Sequence, residues 1–179
     1  GEQRWCLWLV DAKPEELRAM PEVMRLVEAV KIFRQTSVAA STRRMAKTPS
    51  LFAQRTQPQT DYVLVPRVSS ENRRYVPMGF FSPDVILSDS CLSIPGATLY
   101  HFGILESEMH MAWVRQVCGR LKSDFRYSKD IVYNNFPWPE NLNEEKTRVI
   151  EMAAQGILDA RSKFPNSSLA DLYDQLTMP

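Results

Sequence analysis

Between Asp61 and Gly96 the chain carries four short runs of strand character, "DYVLVPRVS", "RRYVPMGFF", "DVILSD" and "CLSIPG", and then its apolar period changes. From Leu105 onward the spacing is helical. In "LESEMHMAWVRQVCGRL", Leu105, Met109, Ala112, Trp113, Val117 and Leu121 fall on one stripe, with Gly119 near the end. A chain that switches from strand-like runs to helical spacing must pack a sheet against helices. The first two runs are separated by "SEN", which suits a hairpin.

The flanking segments fit that frame. "RWCLWLV" reads as a short buried strand, and "DAKP" turns the chain into a helix from about Pro14 to Arg34, interrupted at Pro21. Residues 35–60 are polar, basic and weakly periodic, a helical turn followed by an exposed loop. "NEEKTRVIEMAAQGILDARSKFP" is a helix with Asn143 as cap, acids in its first turn and bases in its last. "SSLADLYDQL" begins another with a capping-box start. The expected fold class is α+β: a mixed or antiparallel β core with flanking helices, followed by a small C-terminal helical domain.

Charge is distributed more tellingly than its total of +1 suggests. From Lys31 to Tyr75 there are nine Lys/Arg against Asp61 and Glu71, a balance of +7. From Pro139 onward seven acids oppose four bases, a balance of −3. A basic middle and an acidic tail point to a polyanionic partner for the middle. Cys6, Cys91 and Cys118 are far apart in apolar runs, as expected of buried, reduced cytoplasmic thiols. The chain opens on Gly1 in strand-like sequence and is expected to be a segment of a longer protein.

Catalytic signatures are missing. Six glycines form neither a dinucleotide fingerprint nor a phosphate loop. There is no nucleophile elbow and no CxxC pair, and His101 and His110 are the only histidines.

The stretch "GRLKSDFRYSKDIVYNNFPWP", residues 119–139, crowds charges, hydroxyls and aromatics together. A surface that reads a polar polymer explains both kinds of residue. Lysine donates to guanine O6 and N7, and aspartate accepts from the cytosine amino group. On an extended backbone Lys122 and Asp124 would point the same way and address one G·C pair, with Arg126 next in the row and Phe125 anchoring the other face. The alternative for Lys122 and Asp124 is a surface ion pair of little weight. Tyr133, Phe136 and Trp138 are expected to close this region against the C-terminal helices.

The runs "YVLVPRVSSENRRYVPMGFFSPDVILSDS" and "ATLYHFGILESEMHMAWVRQVCGRLKSDFRYSKDIVYNNFPWP", with the helix that follows, resemble the C-terminal part of MmeI-like proteins. These are single-chain type II restriction–modification enzymes and related adenine-specific DNA methylases. The resemblance implies a DNA target recognition domain over residues 1–139 and a C-terminal helical domain over 140–179. It implies a methyltransferase domain upstream in the same chain, with S-adenosylmethionine as cofactor there and Mg where a nuclease domain is present. No cofactor or metal is expected in this segment. The base-specifying pair falls on Lys122 and Asp124, with Arg126 as a second determinant beside a position near Ser90. Arg43, Arg44, Arg67, Arg73, Arg74, Tyr127, Ser128 and Lys129 are expected along the phosphates. The partner implied is double-stranded DNA in the bacterial cytoplasm, nucleoid-associated. The competing reading is a protein-interaction or scaffold domain whose acidic helices dock on another chain.

Overall fold

The computed structural model describes residues 4–140 and 142–178, which divide after Thr56 into two compact units.

Residues 4–56 hold three helices: α1 (Pro14–Arg18), α2 (Pro21–Gln35) and α3 (Ala40–Met45). Pro21 stands in the first turn of α2, so the break expected there is present. Arg34 fastens this unit. Its guanidinium donates to Met45 O at 3.0 Å, Thr48 O at 2.9 Å and Leu51 O at 2.8 Å, carbonyls at the end of α3 and in the turns after it. The "RWCLWLV" strand does not form. Residues 4–9 pair with no strand, Trp5 is 97% exposed, and Trp8 instead stacks on Phe52 at 5.6 Å. Cys6 is accordingly exposed rather than buried, while Cys91 is half-buried and Cys118 buried; all three are free.

Residues 57–178 contain two antiparallel three-stranded sheets. One has the order β3 (Gly79–Phe81), β1 (Tyr62–Pro66), β4 (Cys91–Pro95). The other runs β2 (Val68–Ser69), β6 (Asp124–Arg126), β5 (Gly119–Leu121). Along β1 Tyr62, Val63 and Val65 are buried and Leu64 is only partly so. The β core is therefore antiparallel, with helices packed on it, in agreement with the α+β expectation.

Three expected elements change. "SEN" closes no direct hairpin: β1 pairs with β3, Leu64 opposite Gly79, across a long connection, and β2 pairs with β6. The extended stretch before β3 lacks a partner strand because side chains satisfy it. Met78 N–H donates to Glu106 Oε1 at 3.0 Å, and Met78 O accepts from Arg161 Nη1 at 2.8 Å. "DVILSD" is no strand for the same reason. The Gln57 amide donates to Pro83 O and Val85 O and accepts from Leu87 N–H, so one side chain replaces a ladder.

The helix expected over 105–121 is shorter. α4 (Leu99–Leu105) precedes it, α5 spans Glu108–Val117, and the chain leaves the helix at Cys118 to enter β5. Ser107 starts α5 by accepting from His110 N–H at 3.1 Å. After β6 comes a π-helical turn, Lys129–Tyr133, then α6 (Glu144–Ser162) and the one-turn α7 (Leu169–Leu172). Asn143 caps α6 as expected, accepting from Lys146 N–H at 2.9 Å, and Ser168 with Asp171 forms the expected capping box of α7.

α6 lies close on α4 because Gly103 has no side chain there; a Cβ would stand 2.9 Å from Ile150 Cγ2. A buried polar knot holds the same elements. Glu106, 6% exposed, accepts from Met78 N–H, from Arg161 Nη2 at 3.1 Å and from the Tyr173 hydroxyl at 2.7 Å. Burial raises the Glu106 carboxyl from its ordinary range, against the pull of Arg161. Tyr133, Phe136 and Trp138 meet α4 and α5: Phe136 sits edge-on to His110 and Trp113, and Trp138 to His101.

Candidate nucleic-acid interface

β5 and β6 form a hairpin closed by two residues. Gly119 lies opposite Arg126, Arg120 opposite Phe125 and Leu121 opposite Asp124, leaving Lys122 and Ser123 as the turn. Lys122 has φ 56, the only positive φ of a non-glycine among the described residues. Glycine normally fills such a position, and a side chain there costs about 1–2 kcal/mol. The same-strand argument for Lys122 and Asp124 therefore fails: Lys122 sits at the turn and Asp124 begins β6. What alternates along β6 is Asp124 and Arg126 on one face, with Phe125, 3% exposed, turned into the core.

Sequence reasoning missed Arg120. Its guanidinium lies 4.0 Å from the centre of the Phe125 ring and donates to Ser123 O at 2.9 Å, clamping the turn from behind. Its position two residues before the turn was the available signal.

Arg67, the residue between β1 and β2, joins the two sheets. Its N–H donates to Ser90 O at 2.9 Å, its carbonyl accepts from Tyr127 N–H at 2.8 Å, and its Nε donates to Asp89 O at 2.8 Å. Ser90 is thereby brought next to the end of β6, close to Arg126. The Ser90 hydroxyl is exposed and shares a hydrogen bond with the Ser88 hydroxyl.

Tyr127 cannot face a phosphate. It is 2% exposed, and its hydroxyl lies 3.0 Å from His110 Nε2 inside the core. Period-2 alternation after Arg126 turns it inward. Burial pushes the His110 imidazole down to about 4 from an ordinary 6.5 and drives the Tyr127 phenol up. Ser128 is half-buried and caps the π-helical turn, accepting from Ile131 N–H at 3.4 Å. Lys129 is exposed, 3.7 Å from Asp130.

The basic residues differ in how free their donors are. Arg74 pairs with Glu108, both more than two-thirds exposed, and lies over the Tyr75 ring at 5.4 Å. Such a pair is weak and screened by salt. Arg73 is half-buried in the same loop. In the unit of residues 4–56, Arg43 donates to Ser37 O and Val38 O at 2.8 Å, while Arg44 is exposed. The nominal +7 of the middle thus includes Arg34 and Arg43, whose donors already serve main-chain carbonyls.

The family described as "MmeI, target recognition domain" matches residues 1–140, and that described as "MmeI, C-terminal domain" matches residues 142–179. The chain is 44% identical over 180 residues to DNA methyltransferase A of Bacillus subtilis (strain 168), covering all of this chain and 20% of that protein. It therefore spans about a fifth of that relative's length. Among solved structures it is similar to the type IIL restriction–modification enzyme MmeI in complex with DNA. That match has a TM-score of 0.92 and 50% identity, and covers 98% of this chain and 23% of the other.

Proposed function

Because the chain belongs to the family of MmeI target recognition and C-terminal domains, we propose that it is the sequence-specific DNA recognition module of a larger adenine-N6 DNA methyltransferase. The observation that carries this reading is the β5–β6 hairpin. A strained lysine stands at its tip, an Asp–Arg row lies on its exposed face, and Phe125 and Arg120 brace it from behind. Backbone strain held at an exposed polar residue supports a functional role for it.

A two-stranded ribbon fits the major groove. Lys122 donates to guanine O6 and N7, and Asp124 accepts from the amino group of the paired cytosine. Arg126, with the position at Ser90, addresses a further base pair. Arg43, Arg44, Arg67, Arg73, Arg74, Ser128 and Lys129 supply phosphate contacts, which set register without reading sequence. Residues 1–139 form the recognition domain and 140–179 the helical domain, the latter fastened by the Glu106–Arg161–Tyr173 knot.

Methyl transfer belongs to an upstream domain of the same protein, where S-adenosylmethionine would bind. Every strand pairing among the described residues is antiparallel. Mg is needed only where a nuclease domain is present.

The test is duplex binding by the full-length protein over a range of salt and a panel of single base-pair changes. Affinity is expected to fall steeply with salt and to drop by roughly ten- to a hundredfold at individual positions. Salt-insensitive binding to a protein partner with no base discrimination would instead favour a scaffold.

A further inference from the structure

The hairpin tip does not stand alone. At the end of β2 the chain reverses within four residues: Arg73 N–H donates to Ser70 O at 3.2 Å, and Asn72 N–H to Ser70 Oγ at 3.3 Å. β2 runs antiparallel to β6, Val68 opposite Arg126 and Ser69 opposite Phe125, and β5 runs antiparallel to β6 on its other side. The end of β2, the start of β6 and the end of β5 therefore meet at one end of this sheet. Two turns stand there, Ser70–Arg73 and Lys122–Ser123, with Asp124 between them. Glu71 N–H approaches Asp124 Oδ1 at 3.4 Å, which ties the Ser70–Arg73 turn to the residue assigned to the cytosine.

The spacing suits DNA. Neighbouring strands lie about 4.8 Å apart, and base pairs rise about 3.4 Å, so a turn one strand away from Asp124 reaches a neighbouring base pair. The Glu71 and Asn72 side chains are exposed at its tip. The Asn72 amide carries both a donor and an acceptor, the set that matches adenine N7 and N6. Glu71 offers acceptors only, and its main chain is turned toward Asp124.

We propose that the Ser70–Arg73 turn is a second base-reading element, in which Asn72 determines specificity at a base pair neighbouring the one addressed by Lys122 and Asp124. This rests on the major-groove placement proposed above for the hairpin. Arg73 in the same turn then contributes to the phosphates beside it, and the Glu71 N–H holds one carboxylate oxygen of Asp124 while the other is left for the base.

The experiment is a duplex panel varied at every position, read with the full-length protein and its Asn72→Ala, Asn72→Asp and Lys122→Glu/Asp124→Arg variants. Asn72→Ala is expected to relax discrimination at one position by roughly ten- to a hundredfold, leaving non-specific affinity unchanged. That position should differ from the one altered by the double substitution. Asn72→Asp, which keeps the side chain's size, should move the preference at that position from adenine toward cytosine. Unchanged discrimination everywhere, or a uniform loss on all duplexes, overturns the proposal. A relaxed position in Asn72→Ala with no change in the double variant upholds the turn and overturns the hairpin reading instead.

Discussion

Lys122 and Asp124 are two residues apart, yet they belong to different local structures: Lys122 holds φ 56 in the hairpin turn, and Asp124 is the first residue of β6. Both stand at the same end of the sheet because the turn places them there, rather than because a strand repeats every second residue. The pair therefore depends on the turn's backbone, and substitutions act on reading and on strain separately.

The charge swap isolates reading. On the proposed reading, Lys122→Glu alone turns two acceptors toward a guanine edge, and activity is expected to fall on every duplex. Lys122→Glu with Asp124→Arg restores a complementary pair of reversed polarity, so preference at one position should move from G to C. The expected discrimination is about 1–3 kcal/mol. Methylation of a substrate panel by the full-length protein checks it. Retention of the original base would overturn the assignment of this pair to a base pair.

Lys122→Gly isolates strain. Glycine adopts positive φ without steric cost, so the variant is expected to gain about 1 kcal/mol, a rise of roughly 2–4 °C in melting temperature for a chain of this size. Discrimination at the guanine should be lost at the same time. A variant that melts lower than the parent would show that the turn is unstrained.

Arg73 and Arg74 are expected to act without regard to sequence. Replacing both by alanine should weaken target and non-target duplexes alike and flatten the salt dependence by about one unit for each phosphate left without its arginine. Part of the Arg74 effect should be blunted, because its guanidinium already faces Glu108. Titrations at several salt concentrations measure both slopes. Collapse of discrimination with non-specific affinity intact would move these residues into the groove.

His110 makes stability depend on pH. Its buried imidazole, beside the Tyr127 hydroxyl and the Phe136 ring, is pushed down to about 4 from 6.5. The unfolded chain then binds the extra proton between those values. The stabilisation is present in full above pH 6.5 and is lost as pH falls toward 4, by roughly 3 kcal/mol. Denaturant melts from pH 7 to 4 should show the decline. His110→Gln keeps a partner for Tyr127 without titrating, and its melts should decline less over the same window.

How far the sequence reaches can be read from individual elements. Period and caps settled α1, α2 and α6, with Pro21 and Asn143 where expected, because these features are local: a proline, a cap or a repeating side chain acts within a few residues. The donor and acceptor groups carried at 122–126 follow from residue type alone, and their assignment to bases is the reading proposed above. Only the tertiary structure decided which backbone groups found partners. Gln57 and the Glu106–Arg161 pair took the hydrogen bonds that "DVILSD" and the segment before Gly79 would have given to strands. Residues 5–9 joined no sheet. The inward packing of Tyr127 on α5, and the placing of the Ser70–Arg73 turn beside the hairpin tip, follow from pairings between residues roughly fifty apart or from packing against α5. Such pairings depend on how the whole chain closes, and no window of neighbouring residues contains them.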